Sequence, residues 1–307
     1  MTKILSTVGP VSEGKNLDYL VKRSDLIRLN MSHNSIKWHK KNINQIKKIA
    51  PYKMILIDIP GIKPRTLNEN SIKIKKGELI EFGTNKLKNN LINLSSPLPK
   101  IKKNTKSFSL SDGAYEFKFI SCKKNILKGM SLQSFTLSTK KGLNIPLSIY
   151  NNLLQEKKYV SFLKKIKKFN FDCVGLSFIQ NSKIINLLRK QHPNKLFISK
   201  IENYLGYINR KEIIENSDAI MIDRGDLSAE VGVSQLSEYV ENIMIDAKKF
   251  GKPVIIATEN LNSLIVANTP SKSDVTNIDY YMSKNVDYIM LSDETALSTN
   301  FYKIILW

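Results

Sequence analysis

Acidic residues are scarce in this sequence of 307 residues: 27 Asp and Glu stand against 48 Lys and Arg, a formal charge of +21 at neutral pH. So lopsided a balance first points to a nucleic-acid partner. Its distribution argues against one. Between Lys63 and Leu147 lie 17 Lys and Arg against 5 Asp and Glu, so more than half of the excess is local. The lysines come in pairs such as Lys75 with Lys76 and Lys102 with Lys103, without the aromatic interleaving of a base-stacking platform. They read as a solvated surface whose positive field attracts anionic substrates, and no nucleic-acid partner is expected. Cysteine is nearly missing: Cys122 and Cys173 are far apart, which excludes a disulfide framework and a thiolate metal site and leaves both as packing residues. Long apolar runs are missing too. None approaches the roughly 20 residues that cross a bilayer, and the opening MTKILSTVG is too soon followed by polar residues to be a signal peptide, so a cytoplasmic protein without a membrane partner is expected. There is no internal repeat and no low-complexity linker.

What the chain does contain is a rhythm. Eight short, apolar, β-rich runs are each followed by a polar turn, and the intervals between most of them carry a helical pattern, the mark of βα units and a parallel sheet. They are Lys3–Val8, Asp25–Asn30, Lys53–Asp58, Asp172–Phe178, Lys195–Lys200, Asp218–Ile222, Pro253–Ala257 and Val286–Leu291. Strings such as AIMI, PVIIA and YIML suit strands buried on both faces. Between Val233 and Phe250 the apolar Leu236, Tyr239, Val240, Ile243 and Ala247 keep to one side at 3.6-residue spacing, and Gly251 and Pro253 end the helix. Helices are also expected over Ile36–Ile49, Tyr159–Lys168, Lys183–Gln191 and Asp274–Lys284. From Ile62 to Leu147 the rhythm changes to period-two alternation with Gly and Asn at the joints, as in FSLSDGAYEFKFI. The fold class is therefore α/β, a (β/α)8 TIM barrel formed by residues 1–61 and 148–307, with a small β-barrel lid domain over 62–147 inserted after the third strand.

In such a barrel the residues just past the strand ends face the active site. Here they are Arg28, Asn30, Ser32 and His33; Asp58, leading to Arg65; Lys200 and Glu202; Arg224, Gly225 and Asp226; Thr258 and Glu259; and Ser292 and Glu294. Cationic side chains next to carboxylates suit an anionic substrate bridged to the protein by a metal ion. Glu202 and Asp226 are the natural Mg2+ ligands, because magnesium takes a few carboxylates and keeps water and substrate oxygens for the rest. Two readings of Glu202 remain open here: metal ligand, or structural salt bridge with Lys200 or Arg224. His33 alone reads more naturally as a hydrogen-bonded structural residue.

The order and spacing of eight segments along nearly the whole chain resemble the pyruvate kinase family. They are STVGP, LIRLNMSH, ILIDIPGIKPRT, KKGLNIP, ISKIEN, IMIDRGDL, VIIATENL and IMLSDETA. The resemblance implies transfer of the phosphoryl group of phosphoenolpyruvate to ADP, giving pyruvate and ATP. It implies that Arg28 and Lys200 grip the transferring phosphate, that Lys200 also stabilises the enolate, and that Glu202 and Asp226 hold Mg2+. By the same resemblance, Gly225, Asp226 and Thr258 receive the substrate carboxylate, with Thr258 near the site of protonation, and Asn30, Ser32, His33, Arg65 and Lys141 contact the nucleotide.

Departures from the family pattern carry expectations of their own. The family's K+ site matches Asn30, Ser32, Asp58 and Ile59 and accompanies a glutamate where this chain has Lys63, so the Lys63 ammonium is expected to stand in for the monovalent cation. Pro60 replaces a lysine, Asn260 a methionine and Asp293 a glycine, each altering a loop. The family's C-terminal allosteric domain is expected to be absent, leaving Ile304, Ile305, Leu306 and Trp307 without their usual neighbours and inviting a homo-oligomer. Two other functions remain to be set against a kinase: a Mg2+-dependent barrel lyase or aldolase acting on pyruvate or phosphoenolpyruvate, and a non-catalytic paralogue serving as a binding protein.

Overall fold

A computed structural model describes residues 1–84 and 91–307 of the chain. It opens with β1 (Lys3–Thr7), β2 (Leu26–Asn30) and β3 (Met54–Ile59). Eight short strands follow: β4 (Ile72–Ile74), β5 (Leu79–Gly83), β6 (Leu91–Asn93), β7 (Ser107–Leu110), β8 (Tyr115–Lys123), β9 (Ile126–Ser131), β10 (Phe135–Leu137) and β11 (Leu143–Asn144). The chain then runs through β12 (Cys173–Leu176), β13 (Leu196–Lys200), β14 (Ala219–Asp223), β15 (Val254–Ala257) and β16 (Tyr288–Leu291). The first three and last five strands close into one parallel barrel in the order β1-β16-β15-β14-β13-β12-β3-β2. Each begins and ends within two residues of the apolar run that announced it.

Helices wrap the barrel: α1 (Lys15–Arg23), α2 (Ile36–Ile49), α3 (Asn152–Ile166), α4 (Ser182–Gln191), α5 (Tyr204–Ile208), α6 (Arg210–Asn216), α7 (Arg224–Val231), α8 (Leu236–Lys249), α9 (Lys272–Ser283), α10 (Asp293–Leu297) and α11 (Phe301–Leu306). Their starts are fixed by polar caps: the side chains of Ser35, Asn151, Asn181 and Ser271 each accept a backbone N–H of the first turn. The start of α3 lies seven residues before the expected Tyr159, because its first turn exposes Leu153 and Leu154 and so breaks the amphipathic pattern.

Two apolar layers divide the strand residues by period two. Leu29, Ile57 and Phe197 face the helices, whereas Leu5, Leu26, Leu56, Ile198, Met221 and Ile255 form a second core in the barrel interior. Truncating one of these buried side chains to alanine costs about 2–5 kcal/mol. Alternation then dictates what stands one step further along each strand on the inward face: Thr7, Arg28, Asp58, Lys200, Asp223 and Ala257. The polar site is thus the next layer of the same stack.

Between β3 and α3 the inserted strands have a core of their own, centred on Phe82, Phe108 and Phe117, whose rings lie 5.0–5.6 Å apart. The small barrel expected there is open among the described residues: β11-β7-β8-β9-β5-β6 form one sheet and β10-β4 a separate ribbon. Two other expectations need correcting. Cys122 is exposed, since it lies on an outward position of β8, and only Cys173 packs inside. Ile304 and Ile305 are buried rather than stranded, because α11 lays them on the barrel beside Phe301; Leu306 and Trp307 alone remain exposed. Among the described residues no helix is long and apolar enough to cross a membrane.

Candidate active site

Asp58 is the hub of the polar layer. Its Oδ2 accepts from Arg28 Nε at 2.9 Å and lies 2.8 Å from Arg28 Nη2 and 3.3 Å from Lys200 Nζ, while its Oδ1 accepts from Ser177 Oγ at 3.0 Å. The Lys200 ammonium also stands 3.2 Å from Glu202 Oε2 and 3.3 Å from Asp223 Oδ2. Burial alone would favour loss of its proton, but Asp58, Glu202 and Asp223 override that and hold its pKa well above the ordinary lysine value. Arg28 likewise stays charged, and donates from Nη1 to Thr7 Oγ1 at 2.9 Å. Burial would raise Asp58, yet Lys200, Arg28 and Ser177 keep its carboxyl below the usual range. The result is a fixed, ionised Arg–Asp–Lys row across the mouth of the barrel.

Next to this row, Glu202, Asp223 and Asp226 each bring a carboxylate oxygen within 4.8 Å of the others. Asp223 is the member that sequence reasoning missed. Ending the strand at Ile222 hid it, although its place in AIMID mirrors that of Asp58 in ILID. Glu202 Oε1 accepts the Phe178 N–H at 2.8 Å, whereas Oε2 is buried and, among the described residues, has no hydrogen-bond donor, with Lys200 Nζ 3.2 Å away. Burial, reinforced by Asp223, Asp226 and Asp58 against the pull of Lys200, raises the Glu202 pKa well above the carboxylate range. Asp226 is pushed up to about 6, again by burial first, with Lys63 opposing and Asp112 and Asp223 assisting. Converging hard oxygen donors that repel one another, one of them orphaned, fit a small divalent cation such as Mg2+. The two readings of Glu202 are compatible in part: it pairs with Lys200, while Arg224 points elsewhere.

Lys63 departs from its expected place. Its ammonium ion-pairs with Asp226 Oδ1 and, at 2.6 Å, with Asp112 Oδ1 on the turn between β7 and β8. The partners expected of a K+ substitute are engaged otherwise: Asn30 donates to Asp293 Oδ2 at 2.8 Å, Ser32 offers its N–H to Asn30 Oδ1 at 3.0 Å, and Asp58 holds Arg28 and Lys200. A flexible ammonium goes where carboxylates are densest and least compensated, which is the acidic cluster and not the Asn30 side of the site.

On the far wall Gly225 donates its N–H to Thr258 Oγ1 at 3.0 Å, and that hydroxyl donates to the Ala257 carbonyl at 2.7 Å. Thr258, Glu259 and Leu261 all adopt left-handed backbone angles, with φ of 62°, 53° and 58°. For residues other than glycine this costs about 1–2 kcal/mol each. Arg224 offsets the cost: its buried guanidinium donates to the carbonyls of Ala257 and Thr258, to Asn260 Oδ1 at 2.9 Å and to Asn277 Oδ1 at 3.1 Å. Ser292 accepts the Thr258 N–H at 3.1 Å, and Glu259 and Glu294 are exposed.

The remaining candidates are Arg65, Lys141 and His33. Arg65 reaches the Lys140 carbonyl at 3.2 Å, and Lys141 is tied by its backbone N–H to Thr66 Oγ1 at 3.1 Å. His33 is exposed, and Asp293, Arg65, Arg28 and Lys140 all act on its imidazole, which places it on the Asn30 side of the opening.

Comparison with known proteins bears on what this arrangement serves. The family model for the pyruvate kinase barrel domain matches residues 1–302. The chain is 27% identical to a pyruvate kinase of Thermococcus litoralis, in an alignment covering 96% of this chain and 66% of the relative. For a pyruvate kinase of Encephalitozoon cuniculi the identity is 28%, with 97% and 71% covered; for one of Sporosarcina psychrophila it is 30%, with 96% and 53% covered. The chain thus spans between about half and seven-tenths of the length of these relatives.

Proposed function

We propose that this chain, which belongs to the pyruvate kinase family, is a cytoplasmic phosphotransferase that moves the phosphoryl group of phosphoenolpyruvate to ADP, forming pyruvate and ATP. The observation that carries the reading is the Lys200 ammonium, held charged 3.2–3.3 Å from Asp58, Glu202 and Asp223, two of which belong to the carboxylate cluster. Phosphoryl transfer through a loose transition state demands little covalent chemistry from a protein and much positioning and charge neutralisation. Arg28 and Lys200 meet the transferring group with fixed positive charge, oriented through their shared partner Asp58. As the bond to the phosphorus breaks, charge grows on the enolate oxygen, and Lys200, which needs no reorganisation, stabilises it.

Glu202 and Asp226, with Asp223 as a third donor, would hold Mg2+, which supplies further positive charge to the anionic groups when bound. Gly225 and Thr258 form the wall that receives the substrate carboxylate, and the Thr258 hydroxyl lies where a proton must reach the enolate carbon. Asn30, Ser32, His33, Arg65 and Lys141 on the rim face the nucleotide.

The test is a coupled assay with phosphoenolpyruvate, ADP and Mg2+, comparing the natural chain with Lys200→Met. Pyruvate formed by the natural chain and lowered about a thousandfold or more in the variant is the expected result. A folded natural chain that yields no ADP-dependent pyruvate, or a variant as fast as its parent, overturns the proposal.

A further inference from the structure

Asp293 is the residue whose placement the phosphotransfer scheme leaves unexplained. It opens α10 directly after β16, and its carboxylate reaches across the barrel mouth to two groups of the proposed substrate site: Oδ2 accepts from Asn30 Nδ2 at 2.8 Å, and Oδ1 lies 3.4 Å from Arg28 Nη1. Arg28 has five N–H donors in a fixed fork. Those aimed inward are committed to Asp58 and Thr7, both buried. Asp293, with 38% of its side chain exposed, stands at a remaining donor on Nη1. Of the two carboxylates on Arg28, Asp58 is buried and pairs through two donors, and Asp293 adds a second, part-exposed negative charge.

Asp293 is the more exposed of the two carboxylates on Arg28, so its side of the guanidinium is the one nearer solvent. We infer that Asp293 is a positioning residue that sets substrate affinity: an internal carboxylate on the outer donor of Arg28, which an incoming phosphoryl group must displace or tolerate as a like charge. The inference rests on the proposal that Arg28 receives the substrate phosphate. The inner donors of Arg28 and the Lys200 ammonium already have carboxyl groups within 3.3 Å, so the outer donor of Arg28 is where one more negative charge weighs on an anion about to bind. Because Asp293 is part-exposed, its effect is moderate and screened by salt.

Two variants separate charge from shape. Asp293→Asn keeps an acceptor for Asn30 without the charge, and Asp293→Gly removes the side chain. Inorganic phosphate is the probe for calorimetric titration of the full chain, with the KM for phosphoenolpyruvate measured in parallel. Both variants are expected to bind phosphate about three- to tenfold more tightly at low salt, to lower the KM by a similar factor with kcat changing far less, and to approach the natural chain as ionic strength rises. Tighter phosphate binding without any phosphoenolpyruvate turnover in either chain would keep this inference while removing the proposed reaction. Unchanged or weaker phosphate binding in either variant, with an undiminished melting temperature, overturns it. Should Asp293→Gly fail to fold, Asp293→Asn alone decides.

Discussion

The ammonium of Lys63 is ion-paired with the carboxylate of Asp226, so the third acid of the cluster has a cation beside it, as Glu202 and Asp223 have Lys200. The second partner of Lys63, Asp112, belongs to a turn of the inserted sheet, and a buried amine therefore joins that turn to the carboxylate cluster. Replacing it by the uncharged Lys63→Met leaves both carboxylates uncompensated. Breaking a buried pair costs about 3–5 kcal/mol; the half-exposed Asp112 can recover water, so a loss of about 2–3 kcal/mol is expected in the presence of a chelator. The sign reverses for metal affinity, because Mg2+ no longer competes with Lys63. Thermal melts with and without Mg2+ should show a larger metal-induced stabilisation for Lys63→Met than for the natural chain; an equal or smaller one would disprove the competition.

Gly142, on the chain entering β11, gives the same relationship a second handle. A Cβ added there would stand 2.5 Å from Lys63 Cε and 2.8 Å from Nζ, closer than any real contact allows. The lysine tip is flexible, so Gly142→Ala should move the ammonium off Asp226 rather than unfold the sheet, and reproduce part of the Lys63→Met phenotype. In a Lys63→Ala background the three atoms nearest to the new methyl are gone. The two changes should then be non-additive by about 1–2 kcal/mol in melts; simple additivity would mean that Gly142 acts through its backbone instead.

The barrel and the inner row were legible because one rule, period two along a buried strand, governs both. Leu56 packs inside, and Asp58 must follow it on the same face; Ile198 and Lys200 obey the same step. Asp223 escaped only because an aspartate after IMI reads as the end of a strand, when in a barrel the polar tip still belongs to it. The Lys63 contacts were not legible. They depend on where a turn in the insertion, Ser111–Asp112 with left-handed φ of 55° and 54°, meets the barrel, and no periodicity encodes a meeting between two separate hydrophobic cores. Likewise the role of Asp293 needs the closure of β16 onto β1, which sets the last strand beside the first.

Glu230, one turn beyond Asp226 on α7, should leave a signature in the pH dependence of stability. It is wholly buried; Tyr150 donates to its Oε1 at 3.0 Å, and Oε2 has no hydrogen-bond partner among the described residues. Burial pushes its pKa up to about 8, aided by Asp226 and opposed by Lys63, Tyr150 and Asn144. A carboxyl raised in the folded state binds its proton more tightly there than in the unfolded chain. Its contribution is complete below the unfolded value near 4.5 and is lost as pH climbs through about 8. Glu230→Gln removes that dependence, so the melting temperature of the natural chain should fall relative to the variant between pH 5 and pH 9. Parallel curves across that range would show that Glu230 does not titrate there.

Arg224 supports the left-handed backbone at Thr258 and Glu259 through donors to two carbonyls and two side-chain amides, a pattern that a planar five-donor fork can satisfy and a lysine cannot. Arg224→Lys keeps the charge and loses most of these bonds, leaving the segment free to relax out of its strained angles. Thr258 would then leave its bond with the Gly225 amide, and a misplacement of about 1 Å at a reacting group costs roughly a hundredfold in rate. The expected outcome is a fall of about ten- to a hundredfold in kcat for phosphotransfer, together with a lower melting temperature, while Mg2+ binding at the carboxylates changes little. Intact kcat in Arg224→Lys would show that β15 and its turn hold Thr258 in place unaided, and that the arginine serves stability alone.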